Sequence, residues 1–320
     1  MVKYEEYILA NGLKVVLNPT KASSLVVVSV VYNVGSKHEN PNQTGLAHFL
    51  EHLMFTGTAL VPKIDTILQN AGASNNAFTS SDITSYYEVL PKENYELALC
   101  IEADRMQNLA FDKTAFDTQK EVVMEEFKQR YINQPYGDVM ALLKDMVYIN
   151  HPYRWSTIGL NLEHIQGFDI ENTKKFYQQY YAPNNAVLSV SGSFNSSELK
   201  EKIQLYFGKI SPKILPPFVI QKQEEQSKKR QQIVHRDVPL NAYYQAYKIP
   251  KNASQEYLYA DLLTGILASD GTGILYKKLV MDDELCSDVG VFLSNEVEEG
   301  VMIVVAMLNQ GVEMEKVAEI

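Results

Sequence analysis

Apolar and polar positions along the chain first alternate and then settle into the spacing of amphipathic helices. EEYIL and KVVLN flank Ala10, Asn11 and Gly12, and Asn-Gly between two such runs predicts a hairpin whose turn needs positive φ. From Leu25, LVVVSVVYNVGS is nearly all apolar, which predicts a long central strand covered on at least one face. After the loop KHENPNQTG, apolar side chains recur at Leu46, Phe49, Leu50, Leu53 and Met54, a helical spacing. SYYEVLP reads as a strand; NYELALCIEADRMQNLA and FDTQKEVVMEEFKQRY read as amphipathic helices. NNAVLSVSGSF is a further apolar strand. Asn195, with Glu198 three residues later, opens ELKEKIQLYF as a capping box, and Gly208 closes it.

This pattern makes residues 1–212 a first domain. SPKILPPFVIQKQEEQSKKRQQ turns Pro-containing and then charged, the composition of a connector, placed at 213–232. In 233–320, NAYYQAYKIP followed by YLYADLLTGIL faintly echoes VVVSVVYNVG followed by GLAHFLEHLMF. Fewer than a hundred residues remain where the first unit used about two hundred, so the expectation is a second domain that the chain leaves incomplete.

Composition narrows the function. With 46% hydrophobic and 21% charged residues the chain is of the globular class. The apolar run from Leu25 to Val31 is far short of the roughly 20 residues that cross a bilayer. MVKYEEYI lacks the basic-then-apolar order of a signal peptide, so the expected compartment is the cytoplasm, with the periplasm left open. A net charge of -10 argues against phosphate-backbone binding, which needs Lys and Arg, and favours a peptide or protein partner. Cys100 and Cys286 are far apart, which leaves no disulfide framework and no cysteine-type zinc spacing. Cys100 reads as a small buried thiol.

The chemistry concentrates in HFLEHLMF. On a helix, positions i and i+4 share a face about 6 Å apart, so His48 and His52 can aim imidazole nitrogens at one Zn²⁺. Glu51 projects beside the same spot, where it could take a proton from a water. Roughly one shuffled sequence in a hundred would carry this His-x-x-acid-His pattern by chance. Two histidines and a carboxylate inside an apolar stripe are costly to bury without a partner such as a metal. A third ligand has candidates in Glu121, Glu125 and Glu126. Glu126 shares a face with Val122 and Val123 and abuts Phe127, which turns it toward the core, whereas Glu125 shares a polar face with Glu121 and Gln129. Two His and one Glu leave a fourth zinc position open, as in catalytic sites.

Five blocks in order, GLAHFLEHLMFTGT, AGASNNAFTSSDITSYYEVLP, EVVMEEFKQRYINQP, HPYRWSTIG and YYAPNNAVLSVSGSF, resemble the inverted-motif (HxxEH) zinc peptidases of the pitrilysin/insulinase family. The likeness spans essentially the whole chain and is strongest to the short members related to the mitochondrial processing peptidase beta subunit and its bacterial homologues. It implies an α+β fold of two homologous mixed-sheet domains with helices packed on one face, the second incomplete here. It implies one Zn²⁺ per chain held by His48, His52 and Glu126, with Glu51 as general base. It also implies that Asn76, Ala77, Phe78 and Thr79 form an edge strand that takes an extended peptide by strand addition, with Asn76 and Phe78 as side-chain contacts.

One departure bears on partners. Family members that complete their own site carry an Arg and, seven residues later, a Tyr near LYKKLVMDDELCSDV, where this chain has Val280 and Ser287. The resemblance therefore implies the metal-bearing subunit of a heterodimer whose partner lacks the metal motif and supplies both donors, a homodimer being the other arrangement. A catalytically silent, peptide-holding relative is the rival reading, expected to lack part of the set. The other histidines carry no metal spacing: His151 reads as loop packing beside Tyr153 and Trp155, and His38, His164 and His235 as solvated surface.

Overall fold

A computed structural model describes residues 3–220 and 226–320. Residues 221–225 of the expected connector lie outside the described residues. Grouped by internal contacts, the chain forms two compact units, Met1–Gln129 with Asn150–Lys222, and Arg130–Ile149 with Gln223–Ile320.

The first unit is built on strands β1 (Glu5–Ile8), β2 (Lys14–Pro19), β3 (Leu25–Tyr32), β4 (Ser74–Thr79), β5 (Thr84–Pro91) and β6 (Ala186–Gly192), in the sheet order β1-β2-β6-β3-β5-β4. The predicted hairpin is β1 antiparallel to β2, turning through Gly12 at φ 89°. Strand β3 is central, antiparallel to both β5 and β6, and β2 runs parallel to β6, so the sheet is mixed. Val26, Val28, Val30 and Tyr32 of β3 are fully buried, each apolar side chain contributing about 1.5–3 kcal/mol. Alternation alone explains why the intervening Val27, Ser29 and Val31 are only half-buried on the other face.

Helices α1 (Leu46–Leu53), α2 (Ile64–Asn70), α3 (Tyr95–Gln107) and α4 (Lys113–Phe127) follow in chain order. After α5 (Val139–Val147) come α6 (Leu162–Gln166), α7 (Ile170–Tyr180) and α8 (Ser196–Phe207). The predicted cap of α8 is present, with the Asn195 side chain accepting from the N–H groups of Ser197 and Glu198. Glu198 does not close a box; it pairs with Lys202 at 2.8 Å.

In the second unit β7 (Ala242–Lys251), β8 (Cys286–Leu293) and β9 (Glu299–Leu308) form an antiparallel sheet in the order β7-β9-β8, and α9 (Gln255–Ala268) follows β7 as the echo predicts. Residues 130–149, expected in the first domain, pack here instead. Tyr136 donates its hydroxyl to the Leu240 carbonyl at 2.6 Å, Tyr148 to the Glu299 carbonyl at 2.9 Å, and Arg236 pairs with Asp138. The INQPYGD stretch marks a break after α4 but says nothing of which unit the following helix joins, so the exchange is a long-range effect. Val280 packs against the second unit's core cluster, and Ser287 donates its hydroxyl to the Met307 carbonyl at 3.3 Å. No helix among the described residues is long and apolar enough to cross a membrane.

Two histidines expected in solvent are not there. His38 stacks on Phe218 and Tyr180, at 4.4 and 5.3 Å between ring centroids, and burial, with Lys37 beside it, lowers its pKa from 6.5 to about 4. The unfolded chain therefore binds this proton between those values while the folded chain does not, so stability rises with pH across pH 4 to 6.5. His38→Asn keeps an acceptor for the Gly35 N–H, which Nδ1 now takes at 3.2 Å. It should therefore lose about 2–3 kcal/mol less than the parent on acidification through that window, read by urea denaturation at the two ends. His164 accepts from the Thr44 N–H at 3.1 Å. His235 alone of the three is exposed.

Candidate metal centre

The helix that carries the histidine pair is anchored at its N-terminal end. Gly45 precedes α1 at φ 96°, and a Cβ there would lie 2.4 Å from the Ile158 carbonyl oxygen, so only glycine fits. Glycine has no side chain to cap the helix, and the buried Glu39 does so from six residues upstream, accepting from the N–H groups of Gly45 and Ala47, both at 2.8 Å. Burial pushes Glu39 up to about 8 despite those bonds. Leu46, Phe49, Leu50 and Leu53 are buried, and Phe49 meets Phe116 of α4 edge-on at 4.9 Å between ring centroids. This apolar contact sets α1 against α4 and brings the polar residues of both helices together.

His48 and His52 lie on the same face of α1, with rings 4.7 Å apart, and Nε2 of each faces Glu126 Oε2 from α4, at 3.9 and 3.4 Å. One ligating atom from each of the three residues lies within 4.8 Å of the others. Two imidazoles and a carboxylate so placed fit a zinc ion of the catalytic type. Burial alone would lower the His52 pKa; the neighbouring Glu126 and Glu51 outweigh it and leave the pKa raised, so the pocket favours positive charge.

Of the other third-ligand candidates, Glu121 and Glu125 are exposed, and Glu125 pairs with Lys128 at 3.3 Å. The core stripe of α4 runs through Phe116, Val123 and Phe127, with Glu126 half-buried at its rim. Val122, expected on that face, is 45% exposed. Gln119, two turns before Glu126, was not legible beforehand: its Oε1 lies 3.3 Å from His52 Nδ1. A donor at Nδ1 directed to this amide leaves Nε2 with its lone pair facing Glu126, the tautomer a metal ligand needs.

Glu51 is buried, and it accepts a short hydrogen bond from the Thr79 hydroxyl at the end of β4. Strand β4 is the sheet's edge, as the resemblance implied. Its side chains split between two faces: Asn75, Ala77 and Thr79 are half-buried, and Ser74, Asn76 and Phe78 are exposed. Asn76 and Phe78, the expected side-chain contacts, therefore point to the opposite face from Thr79, and Asn76 accepts from its neighbour's N–H, that of Ala77, at 2.9 Å. His151 is buried and accepts from the Tyr153 N–H at 3.1 Å; Trp155 donates to the Ser36 carbonyl at 2.9 Å. These are loop-packing roles.

Residues 14–159 match the family described as insulinase (peptidase family M16), and residues 167–320 match the peptidase M16 inactive domain. The zinc protease PqqE of Helicobacter pylori is 32% identical, over 98% of this chain and 72% of its own length. The mitochondrial-processing peptidase subunit beta of Dictyostelium discoideum is 29% identical over 63% of this chain and 43% of its own. A crystal structure of a protease from Helicobacter pylori superposes with a TM-score of 0.93 at 30% identity, covering all of this chain and 78% of that one. With matching models along most of its length and a relative aligned nearly end to end, the chain belongs to the M16 insulinase family of peptidases.

Proposed function

We propose that this chain is a zinc-dependent endopeptidase acting on extended peptides and that it is the catalytic subunit of a two-component enzyme. The observation that carries the reading is the convergence of His48, His52 and Glu126 beside the buried Glu51. His48 Nε2, His52 Nε2 and the Glu126 carboxylate would hold one zinc ion, which supplies Lewis-acid polarisation of the scissile carbonyl and acidifies a bound water. Glu51 accepts the proton of the attacking water and returns it to the departing amine. The free edge of β4 offers backbone groups to an extended peptide, a mode largely indifferent to side chains and so compatible with broad sequence tolerance.

The two-subunit reading rests on what stands at Val280 and Ser287. One is packed in an apolar cluster and the other bonded to a backbone carbonyl, and neither offers the guanidinium or phenol that stabilises an oxyanion. We infer that a homologous, non-metal-binding partner provides both.

Zinc content by elemental analysis, together with cleavage of a mixed peptide library by the chain alone and with a candidate homologous partner, tests the proposal. The expected result is one zinc per chain and cleavage that rises sharply with the partner. A chain that takes up no zinc, or one that is zinc-loaded yet inert with every homologous partner, would overturn it.

A further inference from the structure

We propose that Thr79 is a positioning residue for Glu51, locking the base's carboxylate to the strand on which the peptide is seated. This rests on the reading of Glu51 as the base. The Thr79 hydroxyl has one proton, and it is donated to Glu51 Oε2, so one carboxylate oxygen is held and the rotation of the carboxylate is restrained. Proton transfer requires such an orientation, since an acceptor displaced by a fraction of an ångström loses its hydrogen bond to the water.

Thr79 is itself braced. As a β-branched residue it has few χ1 choices. Its backbone pairs with Thr84 of β5, and the buried Thr84 hydroxyl donates to the Val34 carbonyl at 2.9 Å. On the same face, Asn75 is tied to Asp65 of α2 at 3.1 Å. The base is thus referenced to the end of the edge strand that pairs with Thr84, and a peptide that pairs with β4 is registered against the same frame as the carboxylate. Of the four residues at this edge expected to meet substrate, Thr79 is distinguished by a side chain directed at Glu51.

Thr79→Val keeps the branched shape and deletes the donor. The expected result is a kcat about 10- to 100-fold lower, the size of losing a hydrogen bond to a charged group, with KM and zinc content unchanged. Thr79→Ser, which restores the hydroxyl, should return kcat to within about threefold. Independently of activity, Thr79→Val and Glu51→Leu should shift the melting temperature of the metal-free chain non-additively, because both remove the same bond. A kcat kept within about twofold, a loss confined to KM, or strictly additive melting shifts would each overturn the proposal. A parent chain that cleaves no peptide even with a homologous partner present would sink the endopeptidase reading and the base role with it, while the melting cycle still reports the Thr79–Glu51 tie.

Discussion

Replacing Glu51 by Gln should lower kcat for peptide hydrolysis by about 10²–10⁴-fold while leaving zinc uptake intact. The substitution is nearly isosteric, and the Gln carbonyl can still accept from Thr79, so the local packing that buries this position is kept. What is lost is the capacity to take a proton. Glu126→Gln should behave differently, because Glu126 sits between the two imidazoles at 3.4 and 3.9 Å, and weakening it should release the metal along with the activity. Metal analysis run beside steady-state kinetics on both variants separates the roles. Full activity in Glu51→Gln would remove Glu51 as the base.

The second large effect lies in the core beneath the site. Arg105 is about 1% exposed, its Nη1 donating to Glu88 at 2.9 Å and also to Glu102, both fully buried. Its Nε donates to the Met54 carbonyl at 3.2 Å, at the residue that ends the histidine-bearing helix, and the guanidinium lies over the rings of Phe55 and Tyr86 at 5.2 and 5.7 Å. One cation faces two carboxyl groups, and burial, with Glu102 beside it, holds the Glu88 pKa well above the usual range. Arg105→Met strands both carboxyls and should cost about 3–5 kcal/mol in urea denaturation. Adding Glu88→Leu and Glu102→Leu should recover most of that loss, since a packed apolar replacement of a buried ionic cluster is often no less stable. A single variant as stable as the parent would mean that water reaches these carboxyls.

The same contrast between short and long range separates what could be read from the residues and what could not. Hairpin β1–β2, the central strand β3 and the helices were legible because turn chemistry and periodicity act over a few residues, although α3, expected to be amphipathic, buries Glu102, Asp104 and Arg105 along with its apolar residues. The His48–His52 pair was legible for the same reason: i and i+4 share a helix face wherever the helix goes. Glu126 was favoured over Glu125 by its place beside Val123 and Phe127, though Val122 proved exposed, and the side of α4 that meets α1 is set by the Phe49–Phe116 contact.

Other features had no local signal at all. Glu39 caps a helix from a preceding loop, His164 holds Thr44 from 120 residues away, and Gln119 orients His52 across a helix pair. Residues 130–149 pack with a unit about a hundred residues downstream. By itself the chain's order of residues determined its elements and the ligand pair on one helix. Tertiary structure alone decided how Glu126 meets the histidine pair, which side chains orient it, and which face of the edge strand meets Glu51, because each depends on contacts between segments that only packing brings together.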